Sequence, residues 1–334
     1  MKKVFSLILA LGLIASLTAC GGGNASGNET GDSTPAASTA KLRFVTGGES
    51  GTYYAFGSVI AQHATNNTDV SVTGLVGNGS KSNVEELADG NAELAFCQSD
   101  VMAYAYNGTN LFENPIDCFS TVAALYMEDV QIVTTDPSIK TVADLAGKNV
   151  SVGAAGSGVY FNAVDILSAY GLGDLDADGK FTKINATYQS FGDSADSLKD
   201  GKIDAAFTVA GAPTTAIVDY ATTNTLNLVS LSDDELAAIQ EAYPFLIRDD
   251  LAAGTYTGQD ADVTCVAIQA TLVASEELSE DVVYEFVKAM FDNKDALTEG
   301  HAKFGFLDPE AASAGATVTM HPGAEKYYKE VGVL

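Results

Sequence analysis

Val45-Thr46-Gly47-Gly48-Glu49-Ser50-Gly51-Thr52-Tyr53-Tyr54 and Val152-Gly153-Ala154-Ala155-Gly156-Ser157-Gly158-Val159-Tyr160 are two versions of one local design. Each follows a short apolar, strand-like run, Leu42 to Val45 and Val150 to Val152, and each leads into a helix-like run. Glycine lets the backbone approach a bound group, and the first turn of the following helix offers unpaired N–H donors at the positive end of its dipole. That pairing holds an anion without a charged side chain. One copy early and one mid-chain predict two lobes facing one ligand. Alone, each loop reads equally well as a plain strand–helix connection. Neither matches G-x-G-x-x-G or the Walker pattern, so no phosphate cofactor is expected.

Working outward, strand and helix patterns alternate. Strands are expected at residues 41–45, 69–76, 94–97, 149–152, 182–188, 203–209 and 226–231, and helices at 53–64, 100–106, 159–170, 195–199 and 214–220. Ser82 to Glu85 reads as a capping box for a short helix closed by Gly90, and Ser232 to Glu235 as another. Residues 119–135 and 262–274 are long apolar runs, read as strands crossing between lobes. Helices at 279–291, 296–304 and 322–331 follow. The fold class expected is α/β, a two-lobed, type II-like periplasmic-binding-protein-like arrangement. It has mixed sheets, flanking helices and two crossing strands as hinge. Residues 41–130 with 265–334 would form lobe 1 and residues 131–264 lobe 2. Such a body is suited to hinge closure on a ligand.

Residues 1–19 read as a signal peptide, with Lys2 and Lys3 before an apolar run from Val4 to Leu17. Leu17-Thr18-Ala19-Cys20 resembles a bacterial lipobox, in which lipid is attached to the cysteine. Residues 20–40 hold no large apolar side chain and read as a flexible tether. An extracytoplasmic protein anchored to the cell membrane through lipid on Cys20 follows. The net charge of −27 comes from scattered acids and argues against nucleic acid. Arg43 and Arg248 are the only arginines, so an anionic ligand would rest on backbone N–H groups, hydroxyls and at most one lysine. Cys97, Cys118 and Cys265 allow one disulfide at most; Cys97 and Cys265, in apolar runs, read as buried thiols.

The ordered set of motifs resembles the TAXI family of TRAP-transporter solute-binding proteins. Besides the two glycine loops it includes Gly79-Ser80-Lys81-Ser82-Asn83, Ala95-Phe96-Cys97-Gln98-Ser99-Asp100 and Asp144-Leu145-Ala146-Gly147-Lys148. Gly201-Lys202-Ile203-Asp204-Ala205-Ala206-Phe207 and the tail from His321-Pro322-Gly323 to Glu330 complete it. The resemblance spans nearly the whole folded region. It implies a bilobed receptor, expected to be monomeric, that captures a small anionic or zwitterionic metabolite. The cargo would be a carboxylate or amino acid (glutamate, glutamine or a related dicarboxylate), delivered to the sodium-coupled permease subunits.

The expected ligand contacts are Gly48, Ser50, Thr52, Tyr53 and Tyr54 in the first loop and Gly156, Ser157 and Gly158 in the second. Ser80 and Asn83 join them by family resemblance, and Gln98 by its place at a strand end. Tyr126 lines the cleft or packs in the core, and Asp100 caps a helix or touches the ligand. Asp174-Leu175-Asp176-Ala177-Asp178-Gly179 matches half of a calcium loop, but position twelve is Asn185; an acidic turn is the other reading, and no metal is assigned. His63, His301 and His321 lack metal spacing, and Ser157 lacks the glycine that a nucleophile elbow needs two residues before the serine, where Ala155 stands. No catalytic residues are therefore assigned. An ABC-importer binding protein, a sensor input module and a secreted enzyme are the alternatives.

Overall fold

The computed structural model describes residues 40–334. The expected signal peptide, Cys20 and all of the tether but its last residue lie outside the described residues. In chain order the elements are β1 (Ala40–Val45), α1 (Thr52–Asn67), β2 (Val70–Leu75), α2 (Ser80–Ala88), β3 (Leu94–Gln98), α3 (Ser99–Asn107) and β4 (Phe119–Thr134). Then come β5 (Asn149–Ser151), α4 (Gly158–Ala169), β6 (Asn185–Thr187), α5 (Phe191–Lys199), β7 (Ala205–Ala210), α6 (Thr215–Ala221) and β8 (Asn227–Leu228). The chain ends with α7 (Asp233–Ala242), β9 (Ile247–Leu251), β10 (Val263–Ser275), α8 (Glu280–Asp292), α9 (Lys294–Gly300), α10 (Pro309–Ala314) and α11 (Pro322–Glu330).

One mixed sheet runs through the described chain in the order β2-β1-β3-β10-β4-β7-β5-β6, with β8 added to β4 and β9 to β10. β1 is parallel to β2 and β3, and β5 to β6 and β7; β4 and β10 are antiparallel to each other and to the strands beside them. These two are the long apolar runs, and almost every residue is buried because helices cover both faces. They change partners midway. Residues 270–274 of β10 pair with β3, whereas residues 263–267 pair with β9; on β4, residues 129–134 pair with β7.

The hydrophobic core changes at the same place. On one side Phe44, Phe56, Phe96, Phe286 and Tyr328 pack together; on the other Val130, Ile132, Val150, Ile166 and Phe207 do so. The partner switch falls at Glu128 and Asp129, the two acids of β4 and both buried.

Several local readings needed adjustment. α2 starts at Ser80 with Gly79 before it, so Ser82 is inside the helix and its N–H donates to the Gly156 carbonyl (3.0 Å) rather than opening a capping box. The strand expected at 182–188 shrinks to Asn185–Thr187, and α5 begins at Phe191, four residues before the expected start. β9 and α10 carry too weak a pattern to be read in advance: Ile247–Leu251 sets three charged residues in a row between two apolar ones and is mostly exposed. The box at Ser232 forms as its spacing dictates, and Thr141 with Asp144 makes another. Cys97, Cys118 and Cys265 are free thiols. Asp176 Oδ1 accepts the N–H groups of Asp178 and Lys180, which makes the acidic 174–179 segment a tight turn. His321 opens α11: its Nδ1 accepts the Gly323 N–H (3.1 Å), and its other ring nitrogen meets the Leu278 carbonyl. No helix among the described residues is long and apolar enough to cross a membrane.

Candidate functional site

The site forms where parallel strands end. β1 and β3 end at Val45 and Gln98, and β5 and β7 at Ser151 and Ala210. Ligands gather outside such carboxyl ends in α/β sheets because the loops there are free of the ladder. Four helices start around this spot: α1 after Gly51, α2 after Gly79, α4 after Ser157 and α5 after Ser190. Gly51 and Gly79 provide no side-chain cap, while Ser157 and Ser190 cap only the N–H groups of Tyr160 and Asp193. The remaining first-turn N–H groups have no intrahelical partner.

Residues from all four starts line one cavity of about 300 Å³, a size suited to a small metabolite. Its floor carries Gln98 and Glu128, and β7 contributes Val209 and Ala210. Among the described residues, no lysine, arginine, histidine or cysteine lines it. Arg43 pairs with Glu93, and Arg248 with Asp233 and Asp250, at exposed positions away from the cavity. Lys81 is engaged with Glu85 and sits over the Phe112 ring.

Of the residues singled out in the sequence, Gly48, Ser50, Thr52, Tyr53, Ser80, Gln98, Ser157 and Gly158 are in the wall. Tyr54, Asn83, Tyr126 and Gly156 are not. Asn83 is fully buried and donates to the Thr46 and Phe96 carbonyls (2.6 and 2.9 Å), which fixes the first loop against β3. Tyr126 packs in the core against Phe56. The Gly156 carbonyl accepts from Ser82. Thr52 Oγ1 gives its proton to the Gly211 carbonyl (2.7 Å), so this hydroxyl joins two segments of chain at the wall. Ser80 Oγ accepts the Gln98 N–H (3.1 Å).

Two glycines are required by close approach. A Cβ on Gly158 would lie 1.7 Å from Gln98 Oε1 and 2.7 Å from Ser80 Oγ. Gly79, with φ of +103°, faces Ser157, whose Cα would lie 3.1 Å from an added Cβ. The second loop thus closes directly onto the start of α2 and the end of β3.

Sequence reading missed Glu128 and the Gln189-Ser190-Phe191 segment, both in the wall. The signal for Glu128 was there: an acid inside a long apolar strand. It is 2% exposed, and its Oε2 accepts the Tyr53 hydroxyl (2.7 Å). Burial pushes its carboxyl up to about 8; the Tyr53 bond opposes this, and nearby Asp100 and Asp129 add to it. A second buried chain runs from Gln98 Nε2 to Asn162 Oδ1 (3.0 Å) and from Asn162 Nδ2 to Asp100 Oδ2 (2.8 Å). Asp100 also accepts the Val101 N–H (2.7 Å); burial nonetheless pushes it up to about 6.

Two outcomes follow. Asn162→Ala leaves both Gln98 and Asp100 buried without their partner and is expected to cost about 3 kcal/mol in urea unfolding; an unchanged midpoint would show that the chain is not formed. Between about pH 6.5 and 8, unfolded Glu128 is ionised while folded Glu128 keeps its proton. The folded state then binds more protons, so ligand-free stability falls as pH rises through this window. Asp165, pushed up to about 7 by burial, acts in the same direction, whereas His301 and His321, held below their ordinary 6.5 by burial, act at lower pH and with the opposite sign. Melting curves for Glu128→Gln should show a shallower slope over the same range.

A model of the NMT1-like family matches residues 44–332. Among solved structures, the periplasmic aliphatic sulphonate binding protein SsuA from Escherichia coli aligns at 15% identity with a TM-score of 0.43, over 87% of this chain and 83% of its own. SsuA from Xanthomonas axonopodis pv. citri, bound to MOPS, aligns at 13% identity and 0.46, over 88% and 85%. The GluR0 ligand-binding core from Nostoc punctiforme, in complex with L-glutamate, aligns at 13% and 0.47, over 79% and 98%. The family match takes in both regions of the sheet and every helix start on the cavity, and the chain therefore belongs to the NMT1-like family.

Proposed function

We propose that the protein is an extracytoplasmic solute-binding receptor. It holds a small carboxylate or amino acid, with glutamate, glutamine and related dicarboxylates as the class to test first. The observation that carries this reading is the convergence of four helix starts on one cavity without a basic side chain. Unpaired first-turn N–H groups and dipole ends suit a carboxylate. The sheet, with two strands passing between two core regions, is periplasmic-binding-protein-like. On this reading residues 41–130 with 265–334 close against residues 131–264, and β4 and β10 form the hinge.

Binding rather than turnover is supported by the state of the wall groups. A nucleophile needs an aligned base, yet Ser157 Oγ serves as a helix cap and Thr52 Oγ1 is bonded to a backbone carbonyl. The motif order favours delivery to a TRAP-type permease of the TAXI kind, and Leu17 to Cys20 favours lipid anchoring. Co-reconstitution with the permease distinguishes sodium-driven uptake from ATP-driven uptake by an ABC importer.

A thermal-shift screen against amino acids and dicarboxylates tests the reading. Ligand at a hundred times its dissociation constant should add about 2.7 kcal/mol to stability. Gly158→Ala should fold and yet bind roughly tenfold or more weakly, because its Cβ would strain the contact with Gln98 and Ser80. No stabilising metabolite in the panel, or an unaffected Gly158→Ala, would contradict the proposal.

A further inference from the structure

Among the described residues, the side chains of the cavity wall that can carry charge at neutral pH are both acids: Glu128 on the floor and Glu49 at the exposed rim. The backbone offers donors, and the floor offers acceptors. Tyr53 satisfies Glu128 Oε2, but among the described residues no donor reaches Oε1. Lys303 influences this carboxyl only through its charge at a distance. Gln98 shows the same surplus. Asn162 gives its own amide protons to Asp100, so its oxygen takes Gln98 Nε2, and Gln98 Oε1 is left buried without a partner. Both residues are about 98% buried, and for Gln98 Oε1 the unmade bond is costly.

We propose that the cavity is a zwitterion site: a carboxylate on the helix starts, and a protonated amine donating to Glu128 and Gln98. This rests on the receptor reading above and narrows it to amino acids. An ammonium group brings three donors and a positive charge, the complement of two acceptors and one acid in a dry setting. Contact with a cation also draws the Glu128 carboxyl back towards its ionised form, against the burial and the Asp100 and Asp129 charges that hold its proton on. A dicarboxylate would place its second negative group near Glu128 and Glu49, where the wall supplies no counter-charge.

Matched pairs test this directly. Calorimetric titration of the full chain with proteinogenic L-amino acids, and with the 2-oxo acid corresponding to each, changes the amine and little else. At least one amino acid should bind, with its 2-oxo partner weaker by about 30-fold or more. Glu128→Gln should weaken that amino acid by a similar factor, and Glu128→Asp should recover part of the loss. A 2-oxo acid that binds as tightly as its amino acid, or an undiminished Glu128→Gln, overturns the proposal while leaving the receptor intact. A panel in which neither series binds removes the receptor reading and this one with it. The comparison of pairs needs no variant, so it decides the matter even where a substitution at 128 fails to fold.

Discussion

Backbone N–H groups at the start of a helix have no partner within that helix, and this chain brings four such starts to one place. α1, α2, α4 and α5 each open beside the same cavity, and two of them open on glycine with no side-chain cap. The strands dictate the meeting. β1, β3, β5 and β7 all end towards it, because parallel strands joined by helices return to the same edge. With Arg43 and Arg248 committed elsewhere, the positive character of the cavity is carried by the backbone.

The same arrangement accounts for the acids. Glu128 and Asp129 interrupt β4 at the point where β4 and β10 change partners and the core changes with them. A purely apolar strand would satisfy the core there but present nothing to a ligand. Burial keeps the proton on Glu128. On the reading proposed above, a cationic partner would return it to its ionised form, so that ligand binding and fold stability would be linked through one residue at the strand switch.

Much of this was legible beforehand, for reasons particular to each segment. The glycine loops announced themselves because close approach admits no Cβ, as Gly158 shows against Gln98. The crossing strands were plain from their long, mostly apolar runs, and α7 from the capping box at its start. The start of α2 was misread because Ser82 and Glu85 imitate a capping box inside a helix that Gly79 opens. α5 hid its first turn behind Phe191 and Gly192, so the Gln189 to Phe191 part of the wall went unseen. Asn83 was singled out by family resemblance and Tyr126 by its place in a crossing strand, with cleft and core both open to it; their partners, a pair of carbonyls and an aromatic core, only the packed chain reveals. Glu128 was visible as an acid in an apolar run, but its aim depends on the register of β4 against β10.

The most direct test of the account is a crystal structure of the protein with the amino acid that stabilises it most. The account predicts ligand carboxylate oxygens within about 3 Å of first-turn N–H groups at the helix starts, with the amine on Glu128. A carboxylate paired instead with a lysine or arginine, or a ligand bound outside this cavity, would contradict it.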